Sequence, residues 1–229
     1  FMATIQKKSI PIVLQEQNSF PGITTRWFSK KANLICAAFK TDNLNFDNKL
    51  VITGNPIRSN IFSGDRAIAL KVYGMDIKKN TLFVFGGSQG SAVLNKSLES
   101  IINKFDNESV QILWQTGDND YNIYKKYNSD VIKIVPFIND MASAYALSDL
   151  VVCRSGALTL SEVTTCGIPS ILIPFASAAG NHQMKNAETL HQAGASFLIE
   201  EKDLDSNKLF KNINYLINNK NILEKMSLA

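Results

Sequence analysis

The sequence is poor in histidine and cysteine. It has 229 residues with two histidines and three cysteines. Cys36, Cys153 and Cys166 follow neither a metal-binding nor a disulfide spacing, and an odd number of cysteines fits a reducing compartment. No apolar run approaches the roughly 18 residues that span a bilayer. The sequence therefore predicts no disulfide scaffold, no metal site and no membrane-spanning helix.

An excess of charge of one sign is also lacking. The 24 Lys and Arg against 20 Asp and Glu leave a net charge of +4, and 45% of the residues are hydrophobic. A mildly basic chain favours an anionic ligand or a membrane surface, but this excess is too small to indicate nucleic acid. The length fits one large or two modest domains with a buried core.

What the chain has is a regular alternation of apolar strands and helices. Strands are predicted at 81–85, 110–114, 131–135, 150–153, 170–173 and 196–199, and helices at 92–105, 120–127, 141–146, 159–166, 186–193 and within 214–229. This order predicts an α/β fold whose parallel sheet carries helices on both faces.

A domain boundary is predicted at Gly54-Asn55-Pro56-Ile57-Arg58, because Pro56 lacks an N–H and Gly54 permits unusual dihedral angles. The chain then divides into residues 1–57 and 58–229. Upstream of the boundary, strands are predicted at 10–14, 34–38 and 50–53 and a helix at 23–31. The polar loop 15–22 lies at the carboxyl end of a strand, where open α/β sheets bind ligands.

The strand, glycine turn and helix start of Leu150 to Glu162 form the most informative segment. Such a junction presents free N–H groups and a partial positive charge to an anion. Glu162 is placed to accept hydrogen bonds from ligand hydroxyls. Alone, the segment fits equally a tight turn that binds nothing, with a solvated Glu162.

A second junction, Gly86-Gly87-Ser88-Gln89-Gly90-Ser91, follows an apolar strand and precedes a helix. Its glycines allow the backbone to approach a phosphate. It matches neither the dinucleotide nor the P-loop fingerprint. A glycine-rich turn without a ligand stays open as the alternative.

Further polar groups follow other predicted strands. Asn181, Gln183 and Asn186 offer amides suited to sugar hydroxyls, or they cap and cover a surface helix. Gln115-Thr116-Gly117 ends one strand, and Phe137-Ile138 could form an apolar wall for a planar base. For both places, core residues at strand ends stay open as the alternative.

Together these segments resemble the MurG family. The resemblance rests on GGSQGS, PFINDMASAYALSDLVVCRSGALTLSE, CGIPSILIPF and NHQMKNA, with QEQNSFPGITTRWFSKKA and GNPIR upstream. It implies a GT-B glycosyltransferase, with a complete Rossmann-like C-terminal domain and a remnant of the N-terminal one. It also implies inverting transfer of N-acetylglucosamine from UDP-GlcNAc to lipid I, giving lipid II without a metal or other cofactor. The implied location is the cytoplasmic face of the bacterial inner membrane.

The resemblance also assigns site residues. Ser88 and Arg58 would contact the diphosphate, Ile138 would recognise uracil through its backbone, and Glu162 would bind the ribose. Gln183 would contact the sugar, and Asn18 would approach it from the N-terminal side. The helix that starts after Gly156 would bring Ala157, Leu158 and Thr159 close to the diphosphate. The same helix would add Leu160, Ser161 and Glu162 to the binding site.

Some family features are missing. The glycine-rich loop that carries the family's proposed general base is not in the sequence, and neither His182 nor His191 matches it. We therefore assign no catalytic residue, and we expect Glu16 to bond locally. The chain is expected to be truncated at both ends and inactive alone, with Phe1, Met2, Ile5, Lys7 and Lys8 on a membrane-binding edge. A UDP-sugar-binding fragment, or another GT-B enzyme such as a UDP-GlcNAc 2-epimerase, stays open.

Overall fold

A computed structural model describes residues 10–40, 49–105 and 109–229. Its strands are β1 Val13–Glu16, β2 Leu34–Ala37, β3 Leu50–Ile52, β4 Asn80–Phe85, β5 Val110–Gln115, β6 Ile132–Val135, β7 Leu150–Cys153, β8 Ser170–Leu172 and β9 Ser196–Leu198. Its helices are α1 Ile23–Phe28, α2 Arg66–Tyr73, α3 Ala92–Glu99, α4 Asp118–Tyr124, α5 Met141–Leu147, α6 Ala157–Thr165, α7 His182–Gln192, α8 Ser206–Ile217 and α9 Lys220–Leu228. The residues Phe1, Met2, Ile5, Lys7 and Lys8 of the expected membrane edge lie outside the described residues.

The larger sheet has six parallel strands in the order β6-β5-β4-β7-β8-β9. This is the order of doubly wound nucleotide-binding sheets, although the loop after β4 lacks the dinucleotide fingerprint. The order reverses between β4 and β7, which are neighbours in the sheet. Ligands bind at such a reversal, beyond the carboxyl ends of the strands. The loops after β4 and β7 are the two junctions that the sequence analysis singled out.

Both faces of the six-stranded sheet are covered, because its strands are apolar on both sides. β7 is buried at all four positions and β5 at all six. One face packs with α3, α8 and α9 through residues such as Leu98, Trp114 and Ile213. The other packs with α2, α5 and α6 through residues such as Phe83, Tyr145 and Leu160. Two separate apolar layers therefore hold this sheet.

The smaller sheet has three parallel strands in the order β1-β2-β3. Its buried apolar cluster consists of Ala32 and Ile35, with Ile12, Leu14 and Leu50 packed against it. Val13 is 60% exposed and Ile52 50% exposed. This sheet therefore has one thin layer of apolar contacts among the described residues.

The predicted α/β architecture is confirmed, and most predicted strands lie within two residues of the observed ones. Several element bounds were wrong: α7 begins at His182 rather than at residue 186, and the helical tail predicted within 214–229 is two helices, α8 from Ser206 and α9 from Lys220. β1 begins at Val13 rather than at residue 10. The predicted helix 92–105 ends at Glu99, where the Ser100 hydroxyl donates to the carbonyl oxygen of Ser97 and competes with helical bonding.

Helix α2 was not predicted. Its boundaries carry ordinary signals, since Asp65 accepts a hydrogen bond from the N–H of Ile68 and Gly74 adopts a left-handed conformation with φ of 60°. Its apolar periodicity is blurred by Ile68 and Val72, which are 58% and 72% exposed. No helix in the described ranges is both long and apolar enough to cross a membrane.

Candidate functional site

A pocket lies where the strand order reverses, at the carboxyl ends of β4 and β7. Its volume is about 100 Å³, and five of the predicted site residues line it. These five come from the boundary segment, the glycine-rich loop, the segment after β6 and helix α6. They are Arg58, Ser88, Ile138, Thr159 and Glu162. The fold therefore brings residues that lie up to 104 positions apart around one small space.

Glu162 is the buried carboxylate of this pocket, with 9% of its surface exposed. The Tyr145 hydroxyl donates to its Oε2 at 3.0 Å. Arg58 Nε lies 3.4 Å from its Oε1, and the Arg58 side chain is 54% exposed. The alternative of a solvated Glu162 is therefore wrong. Two neighbours fix the carboxylate, one from α5 and one from the boundary segment.

Tyr145 is a functional neighbour that the sequence analysis missed. Burial, and then the negative charge of Glu162, raises the pKa of Tyr145. The phenol therefore stays protonated and acts as the donor to Glu162. Its ring packs edge-on against Phe83 and Phe85. A tyrosine at an apolar position of a helix needs a partner for its hydroxyl, and that need was the signal available in the sequence.

The glycine-rich loop passes very close to the end of β5. Gly87 has φ of +91° and Gly90 has φ of +76°. A Cβ on Gly90 would lie 2.1 Å from the carbonyl oxygen of Thr116, so no larger residue fits there. Ser88 is exposed at the tip of the loop. The loop thus presents a hydroxyl to the pocket from a tightly constrained backbone.

Ile138 lies in the pocket wall with its side chain 3% exposed. Its N–H donates to Oε1 of Gln115 at 2.9 Å. Backbone recognition of a base by Ile138 was predicted, and in this structure the N–H is already occupied. The neighbouring Phe137 is 43% exposed and also lines the pocket, as an apolar wall requires.

Helix α6 begins beside the pocket. Gly156 precedes it and supplies no side-chain cap, so the N–H groups of Ala157, Leu158 and Thr159 have no acceptor within the helix. These groups and the helix dipole make the first turn suitable for an anion.

The other two predicted residues of α6 have different surroundings. Leu160 is fully buried in the core, and its N–H donates to the carbonyl oxygen of Gly156. It therefore offers no group to a ligand, which corrects its place in the predicted set. The Ser161 hydroxyl donates to the carbonyl oxygen of Ala157 and accepts from Nδ2 of Asn55. Ser161 thus contacts the boundary segment.

Arg154 joins the loops around the pocket. Its guanidinium donates to Ser91 Oγ, to the carbonyl oxygens of Ile173 and Pro174, and to Glu201. Arg154 is 7% exposed. Because Ser91 ends the glycine-rich loop and Ile173 follows β8, this one side chain holds the ends of three strands together. Its role is structural support of the site.

A second cavity of about 670 Å³ lies between the loop after β1 and the start of α7. Asn18 lines it, together with Gly180 and His182. The Asn18 side-chain oxygen accepts from Nδ2 of Asn186 at 3.1 Å, and the N–H of Ser19 donates to Oδ1 of Asn186 at 2.8 Å. These bonds connect the two sheets. This role of Asn186 was not predicted from the sequence.

Two more predicted positions have defined partners. Gln183 Oε1 accepts from the N–H of Phe175 at 2.9 Å, so it braces the loop before α7. Glu16 is 5% exposed and accepts from the N–H of Asn18, the N–H of Gly22 and the hydroxyl of Thr25. As expected, Glu16 bonds locally and closes its own loop.

The histidines are dispersed. His182 lies at the start of α7 beside the second cavity. His191 is exposed, and its Nδ1 lies 2.8 Å from the carbonyl oxygen of Ser196. In the described ranges, no group of three or more His, Cys, Asp or Glu side chains is arranged to hold a metal ion.

The strand order and the pocket at its reversal define an α/β domain of the doubly wound class, and the start of α6 in this domain is suited to an anion. Comparison with known proteins narrows this class. Residues 81–229 match the family model of the glycosyltransferase family 28 C-terminal domain. The chain belongs to glycosyltransferase family 28.

Several curated relatives carry the name UDP-N-acetylglucosamine–N-acetylmuramyl-(pentapeptide) pyrophosphoryl-undecaprenol N-acetylglucosamine transferase. The protein of Thermoanaerobacter sp. strain X514 is 38% identical over 228 residues, which are 96% of this chain and 62% of the relative. That of Christiangramia forsetii is 40% identical over 200 residues, or 86% of this chain and 55% of the relative. The chain thus spans about three fifths of the length of these relatives.

Solved structures give the same answer for the fold. The crystal structure of Acinetobacter baumannii MurG matches with a TM-score of 0.76 at 27% identity, covering 96% of this chain and 61% of that one. A calicheamicin glycosyltransferase matches with a TM-score of 0.65 at 13% identity, covering 90% of this chain and 49% of that one, and it shows the fold alone. The predicted GT-B fold class and the resemblance to MurG are confirmed.

Proposed function

We propose that this chain binds UDP-GlcNAc and serves the inverting transfer of N-acetylglucosamine to lipid I, which forms lipid II in peptidoglycan synthesis. The observation that carries the proposal is the convergence of Arg58, Ser88, Ile138, Thr159 and Glu162 on one pocket. The names of the relatives support the same donor and acceptor. No cofactor enters the proposal.

The uridine part of the donor would occupy the pocket itself. Pockets that enclose a whole drug-sized ligand measure about 300–1,000 Å³, whereas this one has about 100 Å³. It therefore suits a base that packs against Phe137 and Ile138. Glu162, held by Tyr145, would accept hydrogen bonds from the ribose hydroxyls.

The diphosphate would lie outside the pocket, between the glycine-rich loop and the start of α6. Ser88 offers a hydroxyl there, and the first turn of α6 offers N–H groups. Arg58 is exposed enough to exchange its contact with Glu162 for a phosphate oxygen. The Ser88 hydroxyl, the N–H groups of α6 and the Arg58 cation would stabilise the negative charge that develops on UDP as it leaves.

The sugar and the acceptor would meet in the second cavity. Asn18 faces this cavity, and Gln183 lies on α7 next to His182, which lines it. We further propose that residues 1–57 form the acceptor-side part and residues 58–229 the donor domain. The amide-rich contacts between Asn18, Ser19 and Asn186 support such a cleft between two parts.

Peripheral binding to the cytoplasmic membrane face completes the proposal, because lipid I is a lipid. Among the described residues, α1 carries Ile23 and Trp27, which are 55% and 71% exposed. Arg26, Lys30 and Lys31 lie nearby in the chain and are exposed. An apolar surface flanked by positive charge suits the interface of an anionic bilayer.

Calorimetry with UDP and 2′-deoxy-UDP tests the donor site. Hydrogen bonds to a charged group contribute about 1.5–3 kcal/mol, so Glu162→Ala should weaken UDP binding roughly ten- to a hundredfold. The variant should also lose the preference for UDP over 2′-deoxy-UDP. Glu188→Ala, an exposed carboxylate on α7, is the control and should change neither value. Equal UDP affinity in Glu162→Ala and in the unaltered chain would show that Glu162 is not part of the UDP site.

Flotation with anionic vesicles tests the membrane contact. The chain should float at low salt and be released as salt rises. Trp27→Ser should reduce flotation, whereas Phe62→Ser, which removes an aromatic ring that is 70% exposed elsewhere, should not. No flotation at low salt would contradict membrane binding by these residues.

A further inference from the structure

We infer that Gln115 is a positioning residue that couples the two ends of the nucleotide site. It joins the glycine-rich loop to the segment around Ile138, so that a ligand contact on one side orders the other. This inference rests on the proposed nucleotide site. Gln115 lines the pocket, and the inference concerns the two hydrogen bonds that its side-chain amide makes to the protein.

The sheet topology places Gln115 between the two segments. It is the last residue of β5, and it pairs with Phe85 of β4 on one side and with Val135 of β6 on the other. The glycine-rich loop follows Phe85 directly, and the Ile138 segment follows Val135. Because three parallel strands end side by side here, the loops of the outer two leave the sheet on either side of Gln115.

The side chain uses both halves of its amide. Nε2 donates to the carbonyl oxygen of Gly87 at 3.0 Å, and Oε1 accepts from the N–H of Ile138 at 2.9 Å. Gln115 is 2% exposed, so water does not compete for these bonds. A donor and an acceptor on one neutral group are needed, and a glutamate or a methionine at this position provides at most one of them.

The surrounding backbone leaves the two loops little other freedom. A Cβ on Gly117 would lie 2.5 Å from the carbonyl oxygen of Gln89, so the loop rests directly on the residues after β5. The N–H of Gly117 in turn donates to the carbonyl oxygen of Pro136, just before Ile138. The hydrogen bonds of Gln115 therefore link two loops that both pack against the end of β5.

Gln111 provides a matched control on the same strand. It is 1% exposed and also uses both halves of its amide. Its Oε1 accepts from the N–H of Asp76, and its Nε2 donates to Thr81 Oγ1 and to the carbonyl oxygen of Asp76. It lies near the opposite end of β5, away from the pocket. Substituting Gln111 removes the same kind of buried hydrogen bonds without touching the proposed site.

The first measurement is amide hydrogen exchange without ligand, on the full chain. Gln115→Met should accelerate exchange at Ile138 and within residues 86–91 by tenfold or more, and Gln111→Met should not. Because the exchange needs no ligand, it tests the link through Gln115 independently of the proposed function. Unchanged exchange in both segments of folded Gln115→Met would overturn the inference.

The second measurement compares the affinities for UDP and uridine by calorimetry. Their ratio reports how much the diphosphate adds once the base side is bound. Gln115→Met should shrink this ratio about tenfold, whereas Gln111→Met should leave it unchanged even where both variants lose similar thermal stability. A purely structural role of Gln115 would lower stability and leave the ratio alone.

Gln115→Glu keeps the inference testable if the methionine variant does not fold. Its carboxylate still accepts from the Ile138 N–H but cannot donate to Gly87, so uridine affinity should stay within about threefold of the unaltered chain while the ratio shrinks. An unchanged ratio in a chain that binds UDP would overturn only this inference. Failure of the unaltered chain to bind UDP would overturn the proposed function and the coupling together.

Discussion

The two sheets of this chain are held by different means. The six-stranded sheet lies between two apolar layers, and all six residues of its strand β5 are buried. In the three-stranded sheet, β1 contributes one buried residue, the polar Glu16, and the apolar cluster contains Ala32 and Ile35. The larger sheet is packed on both faces, whereas the described part of the smaller sheet has few apolar contacts.

The contacts between the sheets explain how the smaller one keeps its place. They are amide hydrogen bonds: Nδ2 of Asn186 donates to Asn18, Oδ1 of Asn186 accepts from the N–H of Ser19, and Nδ2 of Asn55 donates to the Ser161 hydroxyl. Asn186 is fully buried and also donates to the carbonyl oxygen of Ser155, the residue before the turn into α6. The comparison teaches that polar bonds at the site, rather than apolar packing, position the loop of Asn18 against the donor side.

The largest expected effect comes from deleting a buried apolar side chain in each of the two sheets. Leu82 and Ile35 are both fully buried, in the larger and the smaller sheet. Leu82→Ala should lower the free energy of unfolding by about 2–5 kcal/mol, and Ile35→Ala should fall at or below the lower limit, because thin surroundings collapse more easily around a deletion. Urea denaturation monitored by circular dichroism measures both values. Equal losses would mean that the two cores are equivalent.

A smaller effect is expected from the polar contacts between the sheets. Asn186→Ala leaves the Ser19 N–H and the Ser155 carbonyl oxygen without this partner, which should cost about 1–3 kcal/mol. The loss should concentrate in residues 16–22, which hydrogen exchange can follow. Asn95→Ala is the matched control, since Asn95 is 1% exposed and bonds to Trp114 and Thr116 at the larger sheet. Faster exchange of residues 16–22 in Asn95→Ala would contradict the local role of Asn186.

The smallest effect concerns how helices of the two regions begin. Asp140 caps α5 beside the large sheet, whereas Gly22 precedes α1 without a side-chain cap. Hydrogen bonds from the Ser143 hydroxyl and N–H lower the pKa of Asp140. A lowered pKa in the folded state means that its stabilisation is present above the unfolded pKa near 3.9 and is lost as pH falls through the folded value.

Asp140→Asn keeps the cap and removes this titration. The unaltered chain should therefore lose about 0.3–1 kcal/mol relative to the variant when the pH falls from 6 to below the folded pKa of Asp140. Thermal denaturation across this pH range measures the difference. A constant difference between the two proteins would exclude Asp140 as the titrating group.

The site could be predicted from the sequence where chemistry is local. The strand, glycine turn and helix start at residues 150–162 are specified within 13 residues, and Ser88 lies on a loop whose glycines mark the turn. Arg58, Ile138 and Glu162 were assigned through the family resemblance, and the fold places them around one pocket. Leu160 was misassigned, because position within a helix start does not reveal which face packs into the core.

The hydrogen-bond partners of the buried polar groups could not be predicted from the sequence. The bond between Tyr145 and Glu162 spans 17 residues, that between Gln115 and Ile138 spans 23, and that between Ser19 and Asn186 spans 167. Periodicity reports whether a residue lies on a buried face, but it does not report which polar group lies opposite. These partners depend on which strands are neighbours.

By itself, the sequence determined the α/β class and the glycine-rich and helix-start junctions, because each follows from local apolar spacing and turn residues. Only the tertiary structure decided that Tyr145 holds the Glu162 carboxylate, that Gln115 joins two loops and that Asn186 joins two sheets. The physical reason is the strand order, which sets the carboxyl ends of β4, β5, β6 and β7 side by side although they are far apart along the chain.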